Sequence, residues 1–431
     1  MYLFISILYR LILWAISPIL FIFILIHSLF SPIQFIPYLC KAGILIQKVP
    51  KTRPIIWIHG VSAGEVASIQ GIARLVRDQY NLLITTSTIS GWIMAKKHFP
   101  SDTHSFFPID YPIVCKRILK RIQPKAILFI EAEIWPNFLK EAARQAIPCY
   151  LLSGKLGDKE FKGYFRLKAF FREVFNTFQV LSMQSEKDCK RVHDLGVNPS
   201  KIFMGGNLKF DLEMDKAHIN HQLLLWSKNS HILLAASTHP GEEKIVLKAY
   251  ETLYQSFPVL KIIMAPRHPE RSDSIVKMAQ ESGFDVIKWS DYRESESHEP
   301  VNNTNILILD TMGELISFYP MAHIVLLAGS FVKGIGGHNL VEPAYFAKSI
   351  IIGPYTHNYD WMIRDMLSSS AIIQLEDKDK SLLDELILTV EKLMRDQSHC
   401  LFLGDKAKDF VRTHQGASLR TFNKIKPYFS L

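Results

Sequence analysis

A chain of 431 residues exceeds what one ordinary hydrophobic core organises and fits two domains of roughly 150 to 200 residues each. Hydrophobic residues at 48% and charged residues at 21% exclude a disordered or fibrous chain. The net charge of +9 selects anionic partners, which leaves nucleic acid, phospholipid headgroups or a phosphorylated substrate.

The first element settles part of that choice. Tyr2 to Ile26 reads YLFISILYRLILWAISPILFIFILI, 25 residues with the single charge of Arg10. That is the length that crosses a bilayer core of roughly 30 Å. Pro18 predicts a kink, and Arg10 must snorkel or lie in the interface. No small-x-small cleavage site follows, so residues 1–40 are predicted to be a membrane anchor, not a signal peptide. Lys41, Lys48, Lys51 and Arg53 come directly after it and keep the rest on the cytoplasmic side of the inner membrane. The five cysteines, Cys40, Cys115, Cys149, Cys189 and Cys400, lack metal-ligand spacing and read as reduced, mostly buried thiols.

Past residue 53 short apolar runs alternate with amphipathic stretches. Strands are predicted at 55–59, 82–86, 126–130, 149–152 and 178–182, with helices at 65–79, 111–122, 137–146 and 185–195 between them. The rhythm breaks at 205–220 and restarts at 232–236, 260–264, 306–309, 324–328 and 350–352. This is α/β architecture, two Rossmann-like doubly wound domains facing a cleft, over 41–215 and 216–431. Residues 291–304 read as a surface loop, and the Asp-x-Asp of DKDK at 377–380 as a solvated turn.

Ligands in such sheets bind where strands end and helices begin. At the first of these junctions, IHGVSAGEV places Glu65 three residues after Ser62. The spacing fits a capping box, in which both side chains satisfy orphan helix amides. It fits a general base equally well, because Gly60, Ala63 and Gly64 leave little bulk around the carboxylate and the helix dipole favours its charged form. At the end of 126–130, Glu131 and Glu133 point to one side if the extended conformation persists, and Lys209 of GGNLKFD is a cation that could relieve them.

In the second half, PRHPER offers Arg267, His268 and Arg271 to a phosphate. AGSFVKGIGGHNLVEPA, 328–344, is the strongest signal. Its four glycines can free backbone amides for an anion at a helix start, and Asn339 and Glu342, one helical turn apart, can face the same ligand. DTMGEL adds Gly313 and Glu314 at a further junction. The loop is neither a G-x-G-x-x-G fingerprint nor a Walker loop, which counts against NAD and ATP chemistry. No interleaved aromatic and basic pattern argues for nucleic acid.

Taken together, HGVSAGE, EAEIWPN, GNLKFD, PRHPER, DTMGEL and GGHNLVEPA, in this order behind an apolar N-terminus, resemble the bacterial lipid A Kdo transferases. These are GT-B glycosyltransferases that move 3-deoxy-D-manno-octulosonic acid (Kdo) from CMP-Kdo to a lipid A precursor, and the resemblance runs over about residues 50 to 425. It implies that Glu65 is the general base on the acceptor hydroxyl and that Glu131 and Lys209 stabilise the transition state. It further implies that CMP is held by Pro266 and Arg267, by Met312, Gly313 and Glu314, and by Asn339, Leu340, Val341 and Glu342. Transfer in the family inverts the anomeric centre, adds one or more Kdo units and needs no obligatory metal or cofactor. The competing expectations are a membrane-associated GT-B enzyme with another nucleotide sugar, and a tethered nucleotide-binding module without catalysis.

Overall fold

A computed structural model describes residues 2–30, 35–45, 47–131, 133–212, 214, 220–294, 304–376 and 381–428. The chain divides into two compact units, one of Met1–Leu212 with His414–Leu431, the other of Glu213–Thr413.

The first unit is built on a parallel sheet of β1 (Ile55–His59), β2 (Asn81–Thr86), β3 (Thr103–Phe106), β4 (Ala126–Ile130), β5 (Cys149–Gly154), β6 (Val180–Met183) and β7 (Ile202–Met204), in the order β3-β2-β1-β4-β5-β6-β7. Both faces carry helices, so the inner strands are apolar throughout instead of alternating. The period of two still decides which core each side chain joins. Trp57, Ile127, Phe129 and Leu151 pack with Phe138 and Phe175 on one face. Ile58, Leu128, Ile130 and Tyr150 pack with Val66, Ile69 and Ile72 on the other.

The second unit repeats the plan with β8 (His231–Thr238), β9 (Leu260–Pro266), β10 (Val286–Lys288), β11 (Ile306–Ile308), β12 (Ile324–Leu327), β13 (Ser349–Ile352) and β14 (Ile373–Gln374), in the order β10-β11-β9-β8-β12-β13-β14. The chain changes direction across the sheet between β1 and β4 in the first unit and between β8 and β12 in the second. Those switch points are where loops diverge and leave a crevice at the carboxyl ends of the strands.

The ten strands expected from apolar runs are present to within two residues. The four that sequence patterning does not reveal, β3, β7, β10 and β14, are the four sheet edges. An edge strand has one partner and less burial, so it can be short and partly polar, as in THSF and VIK. The helix expected over 65–79 is divided at Ile69 into Ala63–Ser68 and Gln70–Val76. The expected loop at 291–304 starts within a helix, Trp289–Glu294, because Trp289 and Tyr292 are buried. Residues 295–303 and the DKDK turn lie outside the described residues.

One expectation about the chain ends changes. The second domain, read as running to the C-terminus, ends at Thr413, and helix Ala417–Ile425 belongs to the first unit. Its Ala417 and Ile425 complete the core around Leu208 and Val66. Asp211 accepts hydrogen bonds from the amides of Gly416 and Ser418, so a residue two hundred positions upstream performs the capping that Gly416 cannot. At the other end, helix Tyr2–Phe30 covers the expected anchor, but among the described residues no helix is long and apolar enough to cross a membrane.

Replacing Asp211 with Ala is therefore expected to destabilise the C-terminal helix by about 1 to 2 kcal/mol. Hydrogen exchange should rise across 417–425 while the amides of β8 to β14 keep their protection.

Candidate active site

Both switch points carry ionisable side chains. In the first unit, β1 leads through Gly60 into helix Ala63–Ser68, with Ser62 at the N-cap in extended conformation. A Cβ on Gly60 would lie 3.3 Å from the Glu65 backbone, so glycine permits the tight return of this helix onto the strand end. The reciprocal capping box does not form, since Ser62 makes no side-chain cap bond. Instead Glu65 folds back over its own turn, accepting from the Val61 amide at 2.8 Å and from the Ser62 hydroxyl at 3.1 Å.

Burial pushes the Glu65 carboxyl up to about 7, and the charge of Glu131 adds to the rise. The Val61 amide and Lys209 oppose it. The helix dipole, expected to favour the charged form, is overridden, because this helix has only six residues and one turn carries little field.

Beyond β4, the chain does not stay extended. Glu131 has φ of 64°, in the left-handed region, so Glu131 and Glu133 do not share a side by strand alternation as expected. A non-glycine residue there carries roughly 1 to 3 kcal/mol of strain. The Glu131 amide is held by the Leu152 carbonyl at 3.0 Å, and the turn brings the carboxylate to the Lys209 ammonium at 2.5 Å. Both partners are largely shielded from water. Lys209 is itself set by Asn207, whose side chain accepts from the Lys209 amide at 2.9 Å and donates to Gln184 at 3.2 Å. Glu133 turns toward Trp135, whose indole N–H donates at 2.7 Å, and toward the fully buried His59 at 3.5 Å. Glu65, Glu131 and Lys209 are thus brought together as expected, with Glu133 and His59 added.

The residues expected to hold a nucleotide sit at the carboxyl ends of β11, β9 and β12, with β8 between the last two. Pro266 closes β9, and the exposed Arg267 follows with its amide on the Thr238 carbonyl at 2.9 Å. Arg271 is paired with the buried Glu243 at 2.7 Å. Met312 and Gly313 form an exposed turn, and Glu314 accepts from Trp289 at 2.7 Å and Arg293 at 2.8 Å. Asn339 and Glu342 hydrogen-bond each other at 3.1 Å, while Leu340 and Val341 are buried and offer only backbone.

The glycine-rich loop differs from its expected role. Helix Val341–Tyr345 spans five residues, and the Gly337 amide is already used by the Gly329 carbonyl at 2.7 Å. Gly329 makes room for the His338 ring and Gly336 for His357. Sequence patterning also passed over THPGEE, 238–243, at the end of β8. Two adjacent acids after a small turn were its only signal. Glu242, fully buried, accepts from the amides of His239, Gly329 and Phe331 at 2.8 to 2.9 Å and ties the β8 and β12 loops together. Among the described residues no three His, Cys, Asp or Glu side chains are grouped to hold a metal ion.

The comparisons with known proteins agree among themselves. The family model described as 3-deoxy-D-manno-octulosonic-acid transferase (kdotransferase) matches residues 40–212. The 3-deoxy-D-manno-octulosonic acid transferase of Haemophilus influenzae is 30% identical over 380 residues, covering 86% of this chain and 87% of that protein. The protein of the same name from Rickettsia prowazekii is 33% identical over 385 residues, covering 87% of this chain and 80% of that protein. In fold, UDP-GlcNAc 2-epimerase from Neisseria meningitidis bound to UDP-GlcNAc superposes with a TM-score of 0.62 at 11% identity, covering 87% of this chain and 100% of that one.

A carboxyl whose folded pKa is raised from 4.5 to about 7 favours the folded state fully at low pH and loses that contribution as pH rises through about 7. Glu65→Gln removes the loss. Its melting temperature should therefore gain on the wild type between about pH 5 and about pH 8. A constant difference across that range would mean that Glu65 is not held in its raised state.

Proposed function

The chain belongs to the Kdo transferase family and is a glycosyltransferase, and we propose that it transfers Kdo from CMP-Kdo to a lipid A precursor. The two parallel-sheet domains resemble those of GT-B glycosyltransferases. The observation that carries the mechanism is Glu65, half ionised near neutral pH, beside the Lys209–Glu131 pair at a switch point.

In this reading Glu65 takes the proton from the attacking acceptor hydroxyl. The oxygen forms a bond to the anomeric carbon as the bond to the CMP phosphate breaks, and the electron pair leaves with CMP. Direct displacement inverts the anomeric centre. Lys209, positioned by Glu131, supplies positive charge for the negative charge that builds up during transfer. CMP is held by Pro266 and Arg267, by the turn of Met312, Gly313 and Glu314, and by Asn339 to Glu342. Leu340 and Val341 contribute through their backbone.

The N-terminal helix supports a place on the cytoplasmic face of the inner membrane. One side is fastened to the first unit by Tyr9 to Asp110 at 2.9 Å, Arg10 to Asn137 at 3.1 Å and Ser17 to Tyr111 at 2.6 Å. The other side leaves Phe4, Ile7, Leu11, Ile12 and Ile16 exposed to solvent. A helix with one docked and one bare apolar face suits the interfacial plane of a bilayer, where a lipid acceptor resides.

Purified protein incubated with CMP-Kdo and tetraacylated lipid A precursor should give products heavier by one or more Kdo units. Glu65→Ala should lose ~10²- to 10⁴-fold in kcat with CMP affinity kept. The rate should fall as pH drops through about 7, where Glu65 takes up its proton. Glu131→Gln removes a repelling charge and should move that limb to lower pH. A clear preference for UDP over CMP in calorimetry, or full turnover by Glu65→Ala, would defeat this reading.

A further inference from the structure

At the second unit's switch point, His239 follows β8 and His338 lies in the loop after β12. Their rings lie 9° from parallel with centroids 5.0 Å apart, meeting edge to edge. The two Nε2 atoms approach to 2.8 Å. Two nitrogens at that distance hold one proton between them, so one ring donates and the other accepts. The accepting ring then carries its proton on Nδ1, and the donating ring has a bare Nδ1.

The structure fixes this arrangement from both sides. Glu242 clamps the backbone on either side through the amides of His239, Gly329 and Phe331. Gly329, at φ of 74°, has no side chain where a Cβ would lie 2.7 to 2.8 Å from the His338 ring. A loop that needed only flexibility would not require glycine pressed against an imidazole.

The surroundings keep the pair short of protons. Burial lowers both histidines, His338 to about 4, and Arg267 depresses each of them. His268 and Arg271 also act against protonation of His239, and Glu243 alone opposes them. Glu243 has one oxygen on Arg271 and the other buried without a hydrogen-bond partner among the described residues. Burial and these cations hold both imidazoles toward the neutral form, with room for one more proton.

We propose that the His239–His338 pair receives the phosphate of the nucleotide donor and takes up a proton as it does so. This rests on the transferase reading for the identity of the donor. An incoming phosphate reverses the local field and favours the charged pair. The added proton goes to the bare Nδ1, the bridging proton stays, and both rings then present an N–H outward. A neutral site thereby becomes a cationic receptor only when an anion occupies it, and release of CMP returns the proton.

Calorimetric titration of CMP near pH 7 in two buffers of different ionisation enthalpy reads the uptake directly. The wild type should take up most of one proton per CMP bound. His338→Asn and His239→Asn should each abolish the uptake and weaken CMP about tenfold, and the double variant should be no weaker than either single one. Uptake unchanged in both single variants would overturn the proposal, and so would additive losses. Should one variant fail to fold, the other decides. Free Kdo titrated in parallel separates phosphate from carboxylate, because uptake with Kdo and none with CMP would also overturn the assignment. If UMP binds and CMP does not, the donor reading fails, and the same uptake measured with UMP still decides the role of the pair.

Discussion

Lys209 makes the first unit's site tolerable. Glu65 and Glu131 stand at the carboxyl ends of adjacent strands β1 and β4, and the charge of Glu131 raises the cost of ionising Glu65. A single ammonium, at 2.5 Å from Glu131 and acting on Glu65 as well, allows both to remain at one switch point. The consequences extend outward. Lys209 is placed by Asn207, Asn207 by Gln184, and Gln184 by the Ser153 carbonyl at 3.0 Å, so the ends of β5 and β6 hold the cation in register with β4. Leu208 and Phe210, on either side of Lys209, are buried, which anchors the turn to the core.

The second unit solves a different problem with a related device. One of its buried carboxylates, Glu242, has no cationic partner among the described residues and is satisfied by three backbone amides. Amides tie loops together without adding a charge that a ligand would have to displace. The cations Arg267 and Arg271 then lie outside this clamp, with Arg271 moderated by Glu243 and Arg267 left exposed. One unit therefore concentrates negative charge around a proton acceptor, and the other surrounds neutral donors with positive charge. That division suits the proposed reaction, with an acceptor deprotonated on one unit and an anionic donor held on the other.

Inner strands were legible because burial on both faces makes them continuous apolar runs, and IIWIH or AILFI can be little else. Edge strands were not, since a strand with one neighbour needs no such run. The importance of Glu65 was visible only through the company of other motifs, because Ser62 to Glu65 has the spacing of a capping box whether or not the box closes. The left-handed turn at Glu131 had no sequence signal, as alternation assumes the strand continues. Gly329 misled for another reason: a glycine that frees an amide and a glycine that admits a ring look alike in sequence. The return of helix Ala417–Ile425 to the first unit depends on Asp211 and Leu208, and no local pattern reports a partner that distant.

Magnitudes decide which influence governs Glu65. A helix start favours a nearby carboxylate by roughly 0.3 to 1 kcal/mol, and less over a single turn. A rise from 4.5 to about 7 corresponds to about 3 kcal/mol in the opposite direction. Burial and the neighbouring Glu131 therefore win, and the carboxyl is held near the point that the proposed role of proton acceptor requires. A fully solvated glutamate would be ionised but a weaker base by more than two pKa units. A carboxyl buried without Lys209 and the Val61 amide would stay protonated. Ionising Glu65 in a half-buried turn costs stability, and the six-residue helix, broken at Ile69, leaves the dipole too weak to offset that cost.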